Sequence, residues 1–207
     1  MEQQIRVMLD MQEAMNRKVH PQWRQQNFAW YRAIWVECAE LLEHYGWKWW
    51  KQQIPDLEQV KLELVDIWHF GMSHMMVDDL EQNDLAARLA GCFATPVEPG
   101  DFRDDLETFA ARCLATKGFD TPGFVTLLAD IELNFDELYT RYIGKNVLNT
   151  FRQNNGYQEG GYQKIWAGRE DNEHLSEIVV ELDTDHENFK EHVYAALTRR
   201  YPSGLLD

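Results

Sequence analysis

The sequence is short of cysteine, of basic residues and of long apolar runs, and each shortage excludes something. Cys38, Cys92 and Cys113 are the three cysteines. So odd and sparse a set reads as reduced thiols of a cytoplasmic protein, not as a disulfide framework. Lysine and arginine number 20 against 35 acidic residues, a net charge of -15. A long nucleic acid needs a basic footprint, so that class of partner is excluded. One nucleotide, bound through metal and a few local cations, is not. No segment approaches the ~20 apolar residues of a membrane span. The opening MEQQIRVMLD lacks the apolar run of a secretory signal, which again favours a cytoplasmic location. Internal repeats and low-complexity tracts are also missing.

What is present is helical periodicity. The chain has 207 residues, 44 % of them apolar, enough for one large domain spanning 1–207. Ile5, Met8, Leu9, Met11 and Met15 recur at three- and four-residue spacing over residues 3–17. A second helix is predicted over 24–45, ending near Gly46, and a third from a cap at Asp56 to about Leu80. Shorter helices follow over about 83–93, from Asp101 to about Ala115, from Thr121-Pro122 to about Tyr142, over 145–153 and over 186–200. Thr95–Gly100 and Asn154–Gly161 read as loops, the second mobile. Ile178–Leu182 is a short, ambiguous strand-like stretch. The pattern predicts an all-α fold.

Two acidic pairs interrupt this apolar pattern. Glu37-x-x-Glu40 lies in RAIWVECAELL and Glu63-x-x-Asp66 in VKLELVDIWHF. A spacing of three puts each pair on one helical face. Ile34, Trp35, Val36, Leu41, Leu42, Leu62, Leu64, Val65, Ile67 and Trp68 flank them and read as buried. Carboxylates among such residues are costly unless they share something positive. The simplest shared object is a hard divalent cation, with magnesium and phosphate oxygens the leading candidates. Glu-x-x-Glu alone is weak in so acidic a chain, where Glu132 and Asp136 make a similar spacing by chance. The bland reading is two solvated helix faces. Apolar surroundings, a short connection between the two helices and His69 on the same stripe weigh against it.

A second constellation lies in KNVLNTFR. Lys145, Asn149 and Arg152 share one helical face, and Tyr157 and Lys164 follow in and after a glycine-bearing loop. Three cations, an amide and a phenol within 20 residues of an acidic protein resemble a phosphate clamp, and the loop could close over a substrate. The competing reading is a basic surface patch. A third feature is aromatic: five of eight tryptophans fall between Trp30 and Trp50. Trp47, Trp49 and Trp50 alternate with Lys48 and Lys51. At least one reads as core, while another could stack on a base, with Phe70 beside His69 as the opposite wall.

WVECAELLEHYGWKWWK followed by KLELVDIWHFGMS resembles the dimeric, all-α dUTPases, a branch of the all-α nucleoside-triphosphate pyrophosphatases. The resemblance continues in MLDMQEAMN and in YIGKNVLNTFRQNNGY, GGYQKIW and REDN. It covers about Met8 to Asn172, with a less recognisable middle over about 83–134. It implies magnesium held by Glu37, Glu40, Glu63 and Asp66, with Glu37 orienting or deprotonating the attacking water, a role the sequence does not separate from Glu40. It implies base and sugar contacts from Gln12, Asn16, Trp50, His69 and Phe70. Phosphate contacts are implied for Lys51, Lys145, Asn149, Arg152, Tyr157, Lys164 and Asn172. A homodimer is implied as well, and hydrolysis of dUTP, and of dUDP if attack falls on the β-phosphorus, to dUMP.

Three other readings are compatible with parts of the chain. A related pyrophosphatase could act on dCTP or mixed nucleotides, since the same amide and imidazole groups can face either pyrimidine edge. A nucleotide-responsive binding module would use the site without turnover; some phage members of the family also bind repressor proteins, so repressor binding as a second role is compatible with the resemblance. A plain helical structural protein leaves the acidic pairs and the cation cluster unexplained. Cys38, beside Glu37, reads as packing, because metal-assisted hydrolysis needs no covalent intermediate.

Overall fold

The computed structural model describes residues 1–77, 82–184, 186 and 188–202. The chain divides into two compact units, Met1–Tyr139 and Thr140–Asp207. The first contains α1 (Glu2–Val19), α2 (Trp30–Tyr45), α3 (Leu57–Met75), α4 (Gln82–Ala94), α5 (Phe102–Thr116), α6 (Thr121–Asp130) and the start of α7 (Phe135–Asn154). The second contains the rest of α7, a two-stranded hairpin of β1 (Ile165–Trp166) and β2 (Arg169–Glu170), α8 (Asp171–Glu181) and α9 (Phe189–Arg200). The all-α class expected from periodicity is what the chain adopts.

Helix boundaries follow local chemistry. The Asp56 carboxylate accepts from Gln59 N–H and starts α3, and Asp101 accepts from Arg103 and Asp104 N–H and starts α5. Pro122 sits in the first turn of α6, where its missing N–H costs nothing. Two expected boundaries move. The helix predicted over 24–45 is a 3-10 turn at Trp23–Gln25 and then α2, because Asn27 takes a left-handed conformation (φ 52°) between them. The helix predicted to run from Thr121 to Tyr142 breaks earlier, where Glu132 is left-handed (φ 57°) and the Asn134 side chain accepts from Glu137 N–H to open α7. Leu80, the expected end of the third helix, lies outside the described residues, as does residue 187 of the last predicted helix. Ile178–Leu182 is not a strand: Ile178–Glu181 completes α8.

In the first unit α2 packs along α3, α1 lies against α3 and α4, and α5 lies against α2 and α6. Trp68 anchors this core, fully buried and stacked on Phe124 at 5.3 Å, with Phe93 edge-on at 5.4 Å. Emptying a site of this kind costs about 3–5 kcal/mol. Gly71, one turn later on α3, is what lets Phe119 approach: a Cβ there would sit 2.5 Å from the ring. The second unit is built around Phe151, whose ring meets those of Tyr162, Trp166, Tyr194 and Tyr201 at 5.3–6.4 Å.

Several residues that read as core are not. Trp35 and Val36 are 53 % and 51 % exposed. Both lie on the side of α2 away from Ile34, Cys38 and Leu41, which do bury. Trp47, Trp49 and Trp50 are all exposed, Trp49 at 89 %. They form an edge-to-face cluster, with Trp50 5.2 Å from Trp47 and 5.4 Å from Trp49. The turn that carries them is held by Gln53 Oε1, which accepts from the N–H of Trp47 and of Lys48. Positive φ (89°) at Gly46 turns the chain into it.

Candidate active site

The packing of α2 on α3 joins the acidic pairs. Glu37, Glu63 and Asp66 each offer a carboxylate oxygen, and the three oxygens lie within 4.8 Å of one another. Among the described residues they are the one group of three or more such ligands so close together. Glu63 is buried; Glu37 and Asp66 are half-buried. Burial, the charge of Asp66 and a shared hydrogen bond with Glu63 push the Glu37 carboxyl up to about 9. Without a cation the fold therefore holds a proton between carboxylates. A hard cation suits this all-oxygen donor set and would replace the proton.

Glu40 stands apart from the close trio. It is exposed, and it lines a shallow groove of about 370 Å³ with Trp35, Val36, Ala39 and Glu43. Its charge still acts on Glu37. His44, which sequence reasoning passed over, places Nε2 3.6 Å from Glu63 Oε1. It is seven residues, two helical turns, beyond Glu37, a periodicity that could have revealed it.

Gln12 and Asn16, one turn apart on α1, meet His69 and Ser73, one turn apart on α3. Gln12 Nε2 donates to Asn16 Oδ1 at 3.0 Å and to Ser73 Oγ at 2.9 Å. Asn16 Nδ2 donates to Ser73 Oγ at 3.0 Å. Gln12 Oε1 lies 2.7 Å from His69 Nδ1, which therefore carries the proton and donates. All four side chains are buried. His69 thus joins the amides. Ser73 was missed although it ends the quoted HFGMS segment. Phe70 is half-buried against Trp30, ring centres 6.2 Å apart, while Trp50 and Lys51 are exposed.

The expected phosphate residues lie in the second unit. Lys145 is buried, and its Nζ donates to Asn172 Oδ1 at 2.9 Å. Arg152 donates to Asn149 Oδ1 at 3.1 Å and to Asn172 Oδ1 at 3.3 Å. The same guanidinium makes two parallel bonds to Asp171, each of 2.8 Å. Tyr162 Oη donates to Asp171 Oδ2 at 2.7 Å. Burial alone would raise the Asp171 carboxyl, but the bonds and charge of Arg152, the Tyr162 hydroxyl and the charge of Lys145 outweigh it and hold it below the usual range. Burial and the bond to Asp171 push the Tyr162 phenol up. Lys164 pairs with Glu170 at 3.0 Å, which raises its ammonium despite desolvation. Tyr157 is exposed near Tyr162, ring centres 5.9 Å apart. So Lys145, Asn149, Arg152 and Asn172 come together, while Tyr157 and Lys164 stand at the edge of the group. Asp171 and Tyr162 were missed, although both fall in the quoted segments GGYQKIW and REDN.

An all-α core that gathers three carboxylates between two packed helices, with amides, an imidazole and a cation-rich segment in the same chain, defines a helical nucleotide hydrolase. The chain belongs to the dUTPase family, whose model matches residues 4–157. It is accordingly a dUTP diphosphatase, a hydrolase of nucleotide metabolism. The match takes in both acidic pairs, the amide–histidine network and Lys145 to Tyr157. A comparison with curated proteins finds no match. dUTPases generally use a divalent metal, and no helix among the described residues is long and apolar enough to cross a membrane.

Proposed function

We propose that the chain hydrolyses dUTP, and dUDP, to dUMP with magnesium, keeping uracil out of DNA and supplying dUMP for thymidylate synthesis. The observation that carries this reading is the trio Glu37, Glu63 and Asp66, with oxygens within 4.8 Å of one another. Glu40 would complete the donor set. Its place one helical turn after Glu37 on α2 and its charge on Glu37 support that role. A divalent cation, when bound, offsets the negative charge of carboxylates and phosphates and makes water more acidic. Glu37 then takes the proton of the attacking water, and Glu63 and Asp66 fix the orientation of Glu37. The β-phosphorus gains the water oxygen and loses the oxygen that bridges it to the α-phosphorus, so dUMP departs with that oxygen and the β-phosphorus ends in pyrophosphate from dUTP or phosphate from dUDP.

Gln12, Asn16 and His69 are read as the edge that accepts uracil, with Phe70 and Trp50 as its flat walls. Their mutual hydrogen bonds support this, because a polar set already oriented loses little on meeting the right base and much on meeting the wrong one. Lys145, Asn149, Arg152 and Asn172 bind phosphate oxygens, joined by Lys51, Tyr157 and Lys164. The chain functions as a homodimer in the cytoplasm: exposed Trp35 and Val36, beside Ala39, give α2 an apolar face suited to a second copy. The 1–207 chain acts as one dUTPase domain with a variable stretch over about 83–134.

The test is release of phosphate and pyrophosphate from dUTP, dUDP, dCTP, dTTP and UTP with magnesium, beside an EDTA control. Turnover of dUTP and dUDP alone, abolished by EDTA, is expected. Equal turnover of dCTP would overturn the assignment of the amide–histidine edge to uracil. Full turnover in EDTA would overturn the metal.

A further inference from the structure

We infer that Asp171 is the positioning residue of the phosphate-binding group, a buried anion that orients Arg152 and ties the loop bearing Tyr157 and Lys164 to α8. The inference rests on the reading of Arg152 as a phosphate ligand. Asp171 has no assigned part in that reading, yet its carboxylate is wholly enclosed. Both of its oxygens are taken by one edge of the Arg152 guanidinium, at 2.8 Å each. A planar fork gripped on two N–H groups has its plane fixed, which a single hydrogen bond cannot do. Arg152 is itself 13 % exposed. The pair thus presents a cation at the edge of the protein whose direction is set from within.

The same residue holds the loop. Tyr162 Oη donates to Asp171 Oδ2 at 2.7 Å, and the Asp171 N–H donates to Lys164 O at 2.9 Å. Tyr162 is stacked on Tyr201, ring centres 5.4 Å apart and 13° from parallel, so its hydroxyl is not free to swing away. Asp171 is the first residue of α8, where helix N–H groups favour an anion. Asn172, next in sequence, is reached by Arg152 and by Lys145. One carboxylate therefore aligns α7, the loop and the start of α8. A buried ion pair of this kind is weak evidence for a role in stability, since it is often no better than an apolar pair. What the pair does supply is a fixed orientation for Arg152.

The experiment measures kcat and KM for dUTP in Arg152→Ala, Asp171→Asn, the double variant and Tyr162→Phe, with circular dichroism of each. Arg152→Ala is expected to raise KM at least tenfold. Asp171→Asn should raise KM about as much while the helical spectrum stays intact, and in the Arg152→Ala background it should add less than twofold. Tyr162→Phe, which removes one hydrogen bond and no volume, should move KM in the same direction by a fewfold. If Asp171→Asn does not fold, a KM for Tyr162→Phe equal to wild type overturns the inference. If Arg152→Ala weakens binding but Asp171→Asn does not, the inference falls and the phosphate reading stands. If Asp171→Asn multiplies the Arg152→Ala defect in full, Asp171 acts independently of Arg152 and the inference also falls. If Arg152→Ala leaves KM unchanged, the phosphate reading itself fails and the inference with it.

Discussion

Replacing Glu37 by glutamine should stabilise the metal-free protein at alkaline pH while abolishing its activity. In the fold the Glu37 carboxyl is raised by burial, by Asp66 and by Glu63 from 4.5 to about 9. The folded state therefore keeps a proton that the unfolded chain has already released. Stability linked to this group is complete below about 4.5 and is lost as the pH rises towards about 9. One proton retained by the fold changes stability by at most about 1.4 kcal/mol per pH unit. From pH 6 to 8 that ceiling is about 2.7 kcal/mol, and partial solvent access to Glu37 roughly halves it. A loss of about 1–1.5 kcal/mol lowers Tm by roughly 2–6 °C for a chain of this length. Glutamine resembles the neutral acid in shape and removes the titration. The assay is thermal unfolding in EDTA at pH 6 and pH 8, followed by addition of magnesium. Wild type should lose more Tm than Glu37→Gln over that interval and regain it with magnesium; the variant should regain much less. Equal pH slopes for the two proteins would refute the account of Glu37 as the protonated member of a crowded trio.

Other expected outcomes test other parts of the structure. Gly71→Ala puts a Cβ 2.5 Å from the Phe119 ring and should cost about 1–3 kcal/mol by overpacking; an unchanged Tm would mean that the ring has room to move. Ser73→Ala removes the acceptor that Gln12 and Asn16 share, should cost about 1–3 kcal/mol and should raise KM for dUTP, as unfolding scans and kinetics would show. Asp101→Ala removes the cap of α5 and should lower stability by ~1 kcal/mol in denaturant titration, with kcat unchanged.

Periodicity carried the fold a long way. Three- and four-residue spacing marked nearly every helix, and Asp56, Asp101 and Pro122 marked starts that the chain uses. The break between α6 and α7 was illegible because Glu132, not glycine or proline, takes the left-handed conformation there. The β-branched run at Ile178–Val180 looked like a strand, but the turns of α8 bury Leu175 and Ile178 and leave Val180 outside. Trp35, Val36 and the tryptophan–lysine turn misled for one reason: apolar identity says what a residue favours, not which face of α2 or of a turn it occupies. At the site, Glu37, Glu63 and Asp66, which the fold gathers, stood out because each acidic pair is local to one helix, while Glu40 stays outside the trio. Ser73 and Asp171 could not, since their partners lie 57–61 and 9–19 residues away and only folding brings them together.

The most direct test of the account is the initial rate of dUTP hydrolysis in magnesium by wild type and by Glu63→Gln, a change that keeps the shape of a buried side chain and removes its charge. The account predicts loss of turnover by several hundredfold or more with helical content unchanged, because the trio would lose its innermost carboxylate. A folded Glu63→Gln protein that hydrolyses dUTP at a rate near wild type would contradict it.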